Sequence, residues 1–337
     1  MKNEAIEYHQ KRLININKHP SADLMILNYT ADVQYGWLWD GFIEQFRGLI
    51  VDSDFNVIAR PFPKFFNMEE LKPGQIPNEP FEVFEKMDGS LGILYWADGI
   101  PCISTRGSFD SEQAIFATNL LHSKYEHVIP NLDQSKTYLF EIIYPENRIV
   151  VDYGGMQDLI LLEIIDTQTG RQEGVRDIGF PVVQKYFAWE NFNQLAAMNP
   201  ENKEGFVVKF ESGFRMKIKF QNYKELHRIV SGLSEKTIWE WLSSGISPED
   251  KIEGLPDEYY NFVREKSAEI TANYTTLERD AVNKYLEIIG GMSDSLDRKA
   301  FAILAQKFKL PGILFSMLDK KDYSQQIWKA VKPQTTN

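Results

Sequence analysis

Eight ionisable residues stand singly in apolar, strand-like surroundings: Arg47, Lys64, Lys86, Arg106, Glu141, Glu204, Lys217 and Lys219. Burying one charge without a partner is costly. Placed this way, the cations and the two carboxylates make sense if they converge on one polyanionic ligand. A nucleoside triphosphate with magnesium fits: cations for phosphates, carboxylates for the metal or for ribose hydroxyls. Lys86, in Phe84-Glu85-Lys86-Met87-Asp88-Gly89-Ser90-Leu91-Gly92, is the candidate nucleophile. A free lysine, with a pKa of roughly 10.4, is almost all ammonium at neutral pH. Burial or neighbouring cations make it useful by depressing that pKa. The same stretch also reads as a surface lysine in an Asp-Gly hairpin, and taken alone it does not separate the two.

The elements that must position these groups are short strands. Phe81-Glu82-Val83-Phe84 alternates apolar and polar, and Leu91 to Trp96 forms a second apolar run, so Lys86 falls in a turn between strands. Leu24 to Tyr29, Phe46 to Asp52, Val57 to Arg60, Tyr138 to Tyr144, Leu159 to Ile165 and Glu204 to Phe210 read as further strands. In Phe214 to Phe220, period two puts Arg215, Lys217 and Lys219 on one face and Phe214, Met216, Ile218 and Phe220 on the other. A solvated lysine face is the bland reading of that pair. Residues 1 to 20, 111 to 127 (Ser111 as N-cap) and 188 to 198 read as helical. From Gln221 the alternation stops, and helical patterns run over 222–244, 256–290, 296–308 and 312–332.

Totals constrain the rest. The 337 residues suggest two domains, and the composition is ordinarily globular, with 43% hydrophobic and 25% charged residues. The single cysteine, Cys102, excludes an internal disulfide and a cysteine-based zinc site, and suits a reducing compartment. The five histidines show no metal-ligand spacing. No run approaches the length of a membrane span, and the N-terminal residues do not read as a secretion signal. A net charge of −11 argues against non-specific coating of nucleic acid, but leaves room for one basic pocket that grips an end. No P-loop pattern occurs.

The motifs resemble a known family. Lys86-Met-Asp-Gly-Ser90, Phe140-Glu-Ile-Ile-Tyr144, Glu204-Gly-Phe-Val207 and Met216-Lys-Ile-Lys219 match, in order and spacing, four motifs of the lysine-adenylating nucleotidyltransferases. That superfamily includes DNA ligases, RNA ligases and capping enzymes. Phe46-Arg-Gly48, the Arg60 to Asn67 run and Pro145-Glu-Asn-Arg-Ile-Val150 are similar to the phage T4 RNA ligase 1 family, as is Tyr223, four residues after Lys219. The match covers residues 24 to 225 well.

The resemblance implies an α+β fold. An adenylyltransferase (nucleotidyltransferase, ATP-grasp-like ligase) domain of antiparallel sheets with flanking helices spans 1–224, and an all-helical C-terminal domain spans 225–337, with RNA or tRNA specificity as its expected role. It implies an ATP-dependent RNA ligase that works through lysyl-AMP and RNA-adenylate intermediates in RNA repair. Lys86 is the implied nucleophile. Tyr29, Arg47, Lys64, Phe66, Gly89, Arg106, Glu141, Glu204, Lys217, Lys219 and Tyr223 are the implied nucleotide-binding set. Glu204, Asp257 and Glu258 are the implied metal set, with ATP as co-substrate and Mg²⁺ or Mn²⁺ as the ion. Single-stranded RNA ends or nicked tRNA are the implied partners. No membrane or obligate protein partner is expected, and the place of action is the cytoplasm, the host's if the chain is phage-encoded.

Two positions depart from the family pattern. Arg106 stands where a lysine is usual, and a bidentate guanidinium is not a point charge. Asp257-Glu258 also reads as an acid pair favouring a helix N-terminus. Trp37 and Trp39 suit either base stacking or loop packing, and Lys307-Lys309 and Lys320-Lys321 either solvated helix faces or an RNA surface. Two alternatives stay open: a DNA ligase or capping-type enzyme, and a non-catalytic nucleotide or RNA-end binding protein of the same fold.

Overall fold

The computed structural model describes residues 1–187, 191–230, 232–251, 257–292 and 297–333. The chain divides into two compact units, Met1–Ser231 and Gly232–Asn337.

The first unit is built on three sheets. Strands β1 (Ile14–Lys18), β2 (Leu24–Tyr29), β3 (Arg47–Asp52) and β4 (Val57–Ala59) form one, in that order. After β5 (Phe66–Asn67) come β6 (Phe81–Lys86), β7 (Ser90–Ala97), β8 (Ile100–Ser104), β9 (Lys136–Ile143) and β10 (Asp158–Asp166). The last short strands are β11 (Lys185–Tyr186), β12 (Gly205–Phe210) and β13 (Arg215–Lys219). The second sheet has the order β10-β9-β7-β8, the third β11-β6-β12-β13-β5. Strands β6 and β7 are therefore consecutive in sequence but lie in different sheets, and residues 87–89 cross between them; Lys86, expected in the turn, is instead the last residue of β6, held there by pairing with Gly205. Among the described strands, β13 pairs with β5 in parallel and the other ladders are antiparallel.

Helices α1 (Lys2–Gln10), α2 (Ala31–Gly36), α3 (Glu112–Lys124), α4 (Phe192–Ala196) and α5 (Gln221–Val230) complete this unit. Ser111 caps α3, its hydroxyl accepting from Ala114 N. Ala117 and Leu121 of α3 pack with Leu94, Ile103, Phe140 and Leu161 of the second sheet. The expected helix over residues 1–20 ends at Gln10, because Ile14-Asn15-Ile16-Asn17 alternates and pairs with β2. The expected 188–198 helix is reduced to α4, and residues 188–190 lie outside the described part.

Strand β13 follows the period-two expectation. Met216 and Ile218 join Phe206, Val208, Phe210 and Phe220 in one core. The opposite face is not solvated: Arg215 and Lys217 are buried.

The second unit is helical where described: α6 (Glu235–Ser243), α7 (Asp257–Gly290), α8 (Arg298–Ala305), α9 (Pro311–Leu318) and α10 (Ser324–Ala330). Its core joins Ala281 and Ile288 of α7 to Phe301, Ala305, Ile313, Leu314 and Ile327. The expected helix over 222–244 is two helices, α5 and α6, with Gly232 at φ +64° between them. The expected 312–332 helix is likewise split into α9 and α10.

Candidate active site

Strand register assembles the centre. Gly205 of β12 lies opposite Lys86 of β6 on one side and Lys219 of β13 on the other. The two lysines thus flank a residue without a side chain. A Cβ at Gly205 would lie 1.9 Å from the Ile218 carbonyl oxygen, so only glycine lets the strands close this near. Glu204, one residue before, is buried between the two ammonium groups. Its Oε1 lies 2.7 Å from Lys86 Nζ and 3.0 Å from Lys219 Nζ. Lys219, one of the expected cations, thus shares a buried carboxylate with Lys86.

Glu141 comes from the facing sheet, on β9. Its Oε1 accepts a 2.9 Å hydrogen bond from Gly89 N, in the turn after Lys86. Gly89 is required here, since a Cβ would lie 2.6 Å from the Ile142 carbonyl oxygen. Burial pushes the Glu141 carboxyl up to about 7; Lys86 opposes this, Glu204 adds to it, the Gly89 N–H opposes it and Asp88 adds to it.

Lys217 pairs in register with Asn67, and its Nζ lies 5.6 Å from the Phe65 ring centre. Arg47 approaches the same ring at 5.6 Å. A bulge in the β2–β3 ladder puts Arg47 opposite Asn28, beside Tyr29. Arg106 Nη1 donates to Tyr29 Oη at 2.9 Å, and its guanidinium sits 5.2 Å from that ring centre. A lysine cannot stack and donate in this way. Lys64 is 4% exposed, and its Nζ donates to Gln34 Oε1 at 2.8 Å. Tyr29, Trp39 and Phe66 surround that ammonium at 5.7, 4.8 and 5.2 Å. Trp37 packs on Phe66 and Trp39 on Tyr29, at centroid distances of 5.3 and 4.8 Å. Both tryptophans are thus engaged in packing, with Gln34 and α2 behind them.

Tyr223, at the start of α5, donates from Oη to Asp88 Oδ1 at 2.6 Å and lies beneath Lys219 Nζ. Asp257 and Glu258 fall outside the residues whose side chains are described. Two residues without a sequence-derived role now join the site. Gln34 shows no signal in the sequence. Asp88 was visible in the Asp-Gly pair, but its buried bonding was not.

Deeper between the sheets, Arg215 Nη2 donates to Glu163 Oε2 at 2.6 Å, and Lys209 Nζ lies 2.8 Å from the same oxygen. A bulge at Leu161/Glu163 in the β9–β10 ladder re-aims Glu163. This buried cluster links β10 to β12 and β13.

The residues fit a triphosphate and magnesium. Lys86 and Lys219 flank Glu204, and Lys86 acts on Glu141. Among the described residues no three His, Cys, Asp or Glu groups converge as a cage. That donor set suits an ion bound through one carboxylate and the ligand's own phosphates.

A lysine among cations and carboxylates, at a strand end where the chain crosses between two sheets, is the centre of a nucleotidyltransferase fold. The chain belongs to the RNA ligase family, whose model matches residues 45–223. This is the T4 RNA ligase 1 type that the motifs resemble. An RNA ligase of Rhodothermus phage RM378 is 24% identical over 83% of this chain and 82% of its own length. A protein of Autographa californica nuclear polyhedrosis virus, named for polynucleotide kinase and RNA ligase functions, is 26% identical over 82% of this chain. The match spans only 45% of that longer viral protein. An archaeal ATP-dependent RNA ligase superposes at a TM-score of 0.49 and 15% identity, over 96% of each chain.

Proposed function

We propose that this chain is an ATP-dependent RNA ligase that joins 5′-phosphate and 3′-hydroxyl RNA ends. The observation that carries this is the row Lys86–Gly205–Lys219 with Glu204 between the ammonium groups. Family membership supports it.

Lys86 Nζ attacks the ATP α-phosphorus. The bond to the β-phosphate oxygen breaks, pyrophosphate leaves, and a phosphoramidate (lysyl-AMP) forms. Nζ must first give up a proton, and Glu204 Oε1 is within 2.7 Å to receive it. Lys217 and Lys219 bind the α-phosphate and oppose the charge that develops on its oxygens. Arg47, Lys64 and Arg106 hold the outer phosphates, and Lys64 does so from an aromatic box that fixes its direction. Glu141 takes a ribose hydroxyl. Tyr29 and Phe66 line the nucleotide, and Gly89 lets it approach. Tyr223 acts through Asp88. Magnesium, when bound, neutralises phosphate charge and orients the leaving group. Glu204 would hold it through its hydration shell, with Asp257 and Glu258 as the proposed supplement. AMP then passes to the RNA 5′-phosphate as the P–N bond breaks, restoring Lys86, and a 3′-hydroxyl attacks the 5′-phosphate and releases AMP.

The helical unit is proposed to recognise the RNA, with nicked tRNA as its partner. Residues 297–333 carry eight Lys or Arg against three Asp or Glu, in a chain of net charge −11. No described helix is long and apolar enough to cross a membrane. Action in the cytoplasm, the host's for a phage-encoded chain, is part of the same proposal. The DNA ligase or capping reading is disfavoured, since α5 follows β13 where those enzymes place an OB barrel of strands.

Incubation with α-labelled ATP and magnesium, followed by denaturation, tests the mechanism. Label on wild type and none on Lys86→Ala is expected. An unlabelled wild type, or label that survives the substitution, refutes it. Preferential sealing of DNA over 5′-phosphorylated RNA refutes the substrate.

A further inference from the structure

We propose that residues 145–153 form a strap whose Asn147 and Tyr153 are positioning residues for Lys86; this rests on Lys86 being the nucleophile. Strand β6 ends at Lys86 and β7 begins at Ser90, so Met87-Asp88-Gly89 fixes the lysine from the side that neither the β12 ladder nor Glu204 reaches. The strap grips that turn at several points. Asp88 N donates to Tyr153 Oη at 2.7 Å. Asp88 Oδ2 accepts from Val150 N and Val151 N, each at 2.8 Å. Ser90 Oγ donates to Asn147 Oδ1 at 3.1 Å, while Asn147 Nδ2 donates to the Ile142 carbonyl at 3.0 Å. Burial raises the Tyr153 pKa, so its hydroxyl stays neutral and can accept the Asp88 N–H.

The strap leaves β9 just after Glu141. Tyr223, which bonds the other oxygen of Asp88, stands four residues after Lys219. One carboxylate, 3% exposed, therefore references the nucleophile turn to the strand carrying Glu141 and to the strand carrying Lys219. Met87 of the turn and Tyr153 of the strap both pack against the cluster of Phe84, Ile143, Ile160 and Val183. Beside it Asp88, Asn147, Val151 and Tyr153 line a cleft of ≈ 160 Å³. Apolar packing is non-directional, so the hydrogen bonds are what orient the turn.

In-line attack is sensitive to placement: a shift of about 1 Å costs on the order of 100-fold. Tyr153→Phe removes one acceptor and little bulk. It is expected to slow lysyl-AMP formation by roughly 10- to 100-fold. Sealing of RNA that already carries a 5′-adenylate does not use Lys86 as nucleophile, and is expected to stay within roughly twofold of wild type. Asn147→Ala, as a second variant, is expected to give the same split. Both steps falling together in both variants marks general damage and overturns the strap. So does lysyl-AMP formation at the wild-type rate. A wild type that forms no lysyl-AMP refutes the nucleophile reading itself, which separates the two failures.

Discussion

Glu141→Gln should stabilise the ligand-free protein, and do so more at high pH than at low. The Glu141 carboxyl titrates near 7 in the fold against 4.5 for the free group. Its ionisation therefore costs the folded state about 3 kcal/mol once pH exceeds both values. Between these values the folded state binds more protons than the unfolded one, so stability falls as pH rises from 4.5 towards 7 and is flat beyond. Glutamine cannot ionise, yet its carbonyl can still accept the Gly89 N–H that Glu141 Oε1 now accepts at 2.9 Å. The variant's advantage should be about 2–3 kcal/mol at pH 8.5 and shrink by roughly 2 kcal/mol at pH 5.5. For a unit of this size the change corresponds to roughly 4–8 °C in Tm. Melting curves of both proteins across that range, compared as a difference, measure it. Titrating groups away from Glu141 cancel in the difference, leaving Glu141 and its coupled neighbours Lys86, Glu204 and Asp88. A pH-independent difference, or one that grows towards acid, would refute the reasoning. Glu141→Ala is the control: it removes the charge but leaves the Gly89 N–H without its acceptor, so its gain should be smaller.

Two more outcomes follow from the cations. Arg215→Ala leaves Glu163, 1% exposed, with one cation fewer, and should cost roughly 3 kcal/mol in chemical unfolding; a loss below about 1 kcal/mol would show that Lys209 alone suffices. Arg106→Lys keeps the charge but loses the stack on Tyr29 and the 2.9 Å bond to its hydroxyl. The KM for ATP in lysyl-AMP formation should rise about five- to tenfold, and an unchanged KM would mean that the charge alone matters.

Chemistry that depends on residue type and local period was legible in the chain. The period-two face of Phe214–Phe220, the Asp-Gly turn after Lys86, the Ser111 cap and the change to helices after Gln221 are all short-range patterns. The same locality hid β1, because an Ile-Asn alternation only five residues long becomes a strand only when β2 offers it a partner. Likewise the helical period over 222–244 outweighed the local break signal of Gly232 and the Ser234 cap, which separate α5 from α6.

What the amino-acid order determined was an inventory: a candidate nucleophile, its cations, two carboxylates and the family to which their spacing points. Only the tertiary structure decided the pairings. Glu204 is shared by Lys86 and Lys219 because an antiparallel ladder sets Gly205 between them. Lys64 is boxed by rings from separate segments, and Asp88 is bonded from residues 62 to 135 positions away. Such contacts follow from strand register and sheet packing, and these long-range terms leave no periodic trace along the chain. A lysine in an Asp-Gly turn looks alike in a solvent-exposed hairpin and in an active site. The difference lies in the residues the fold brings against it.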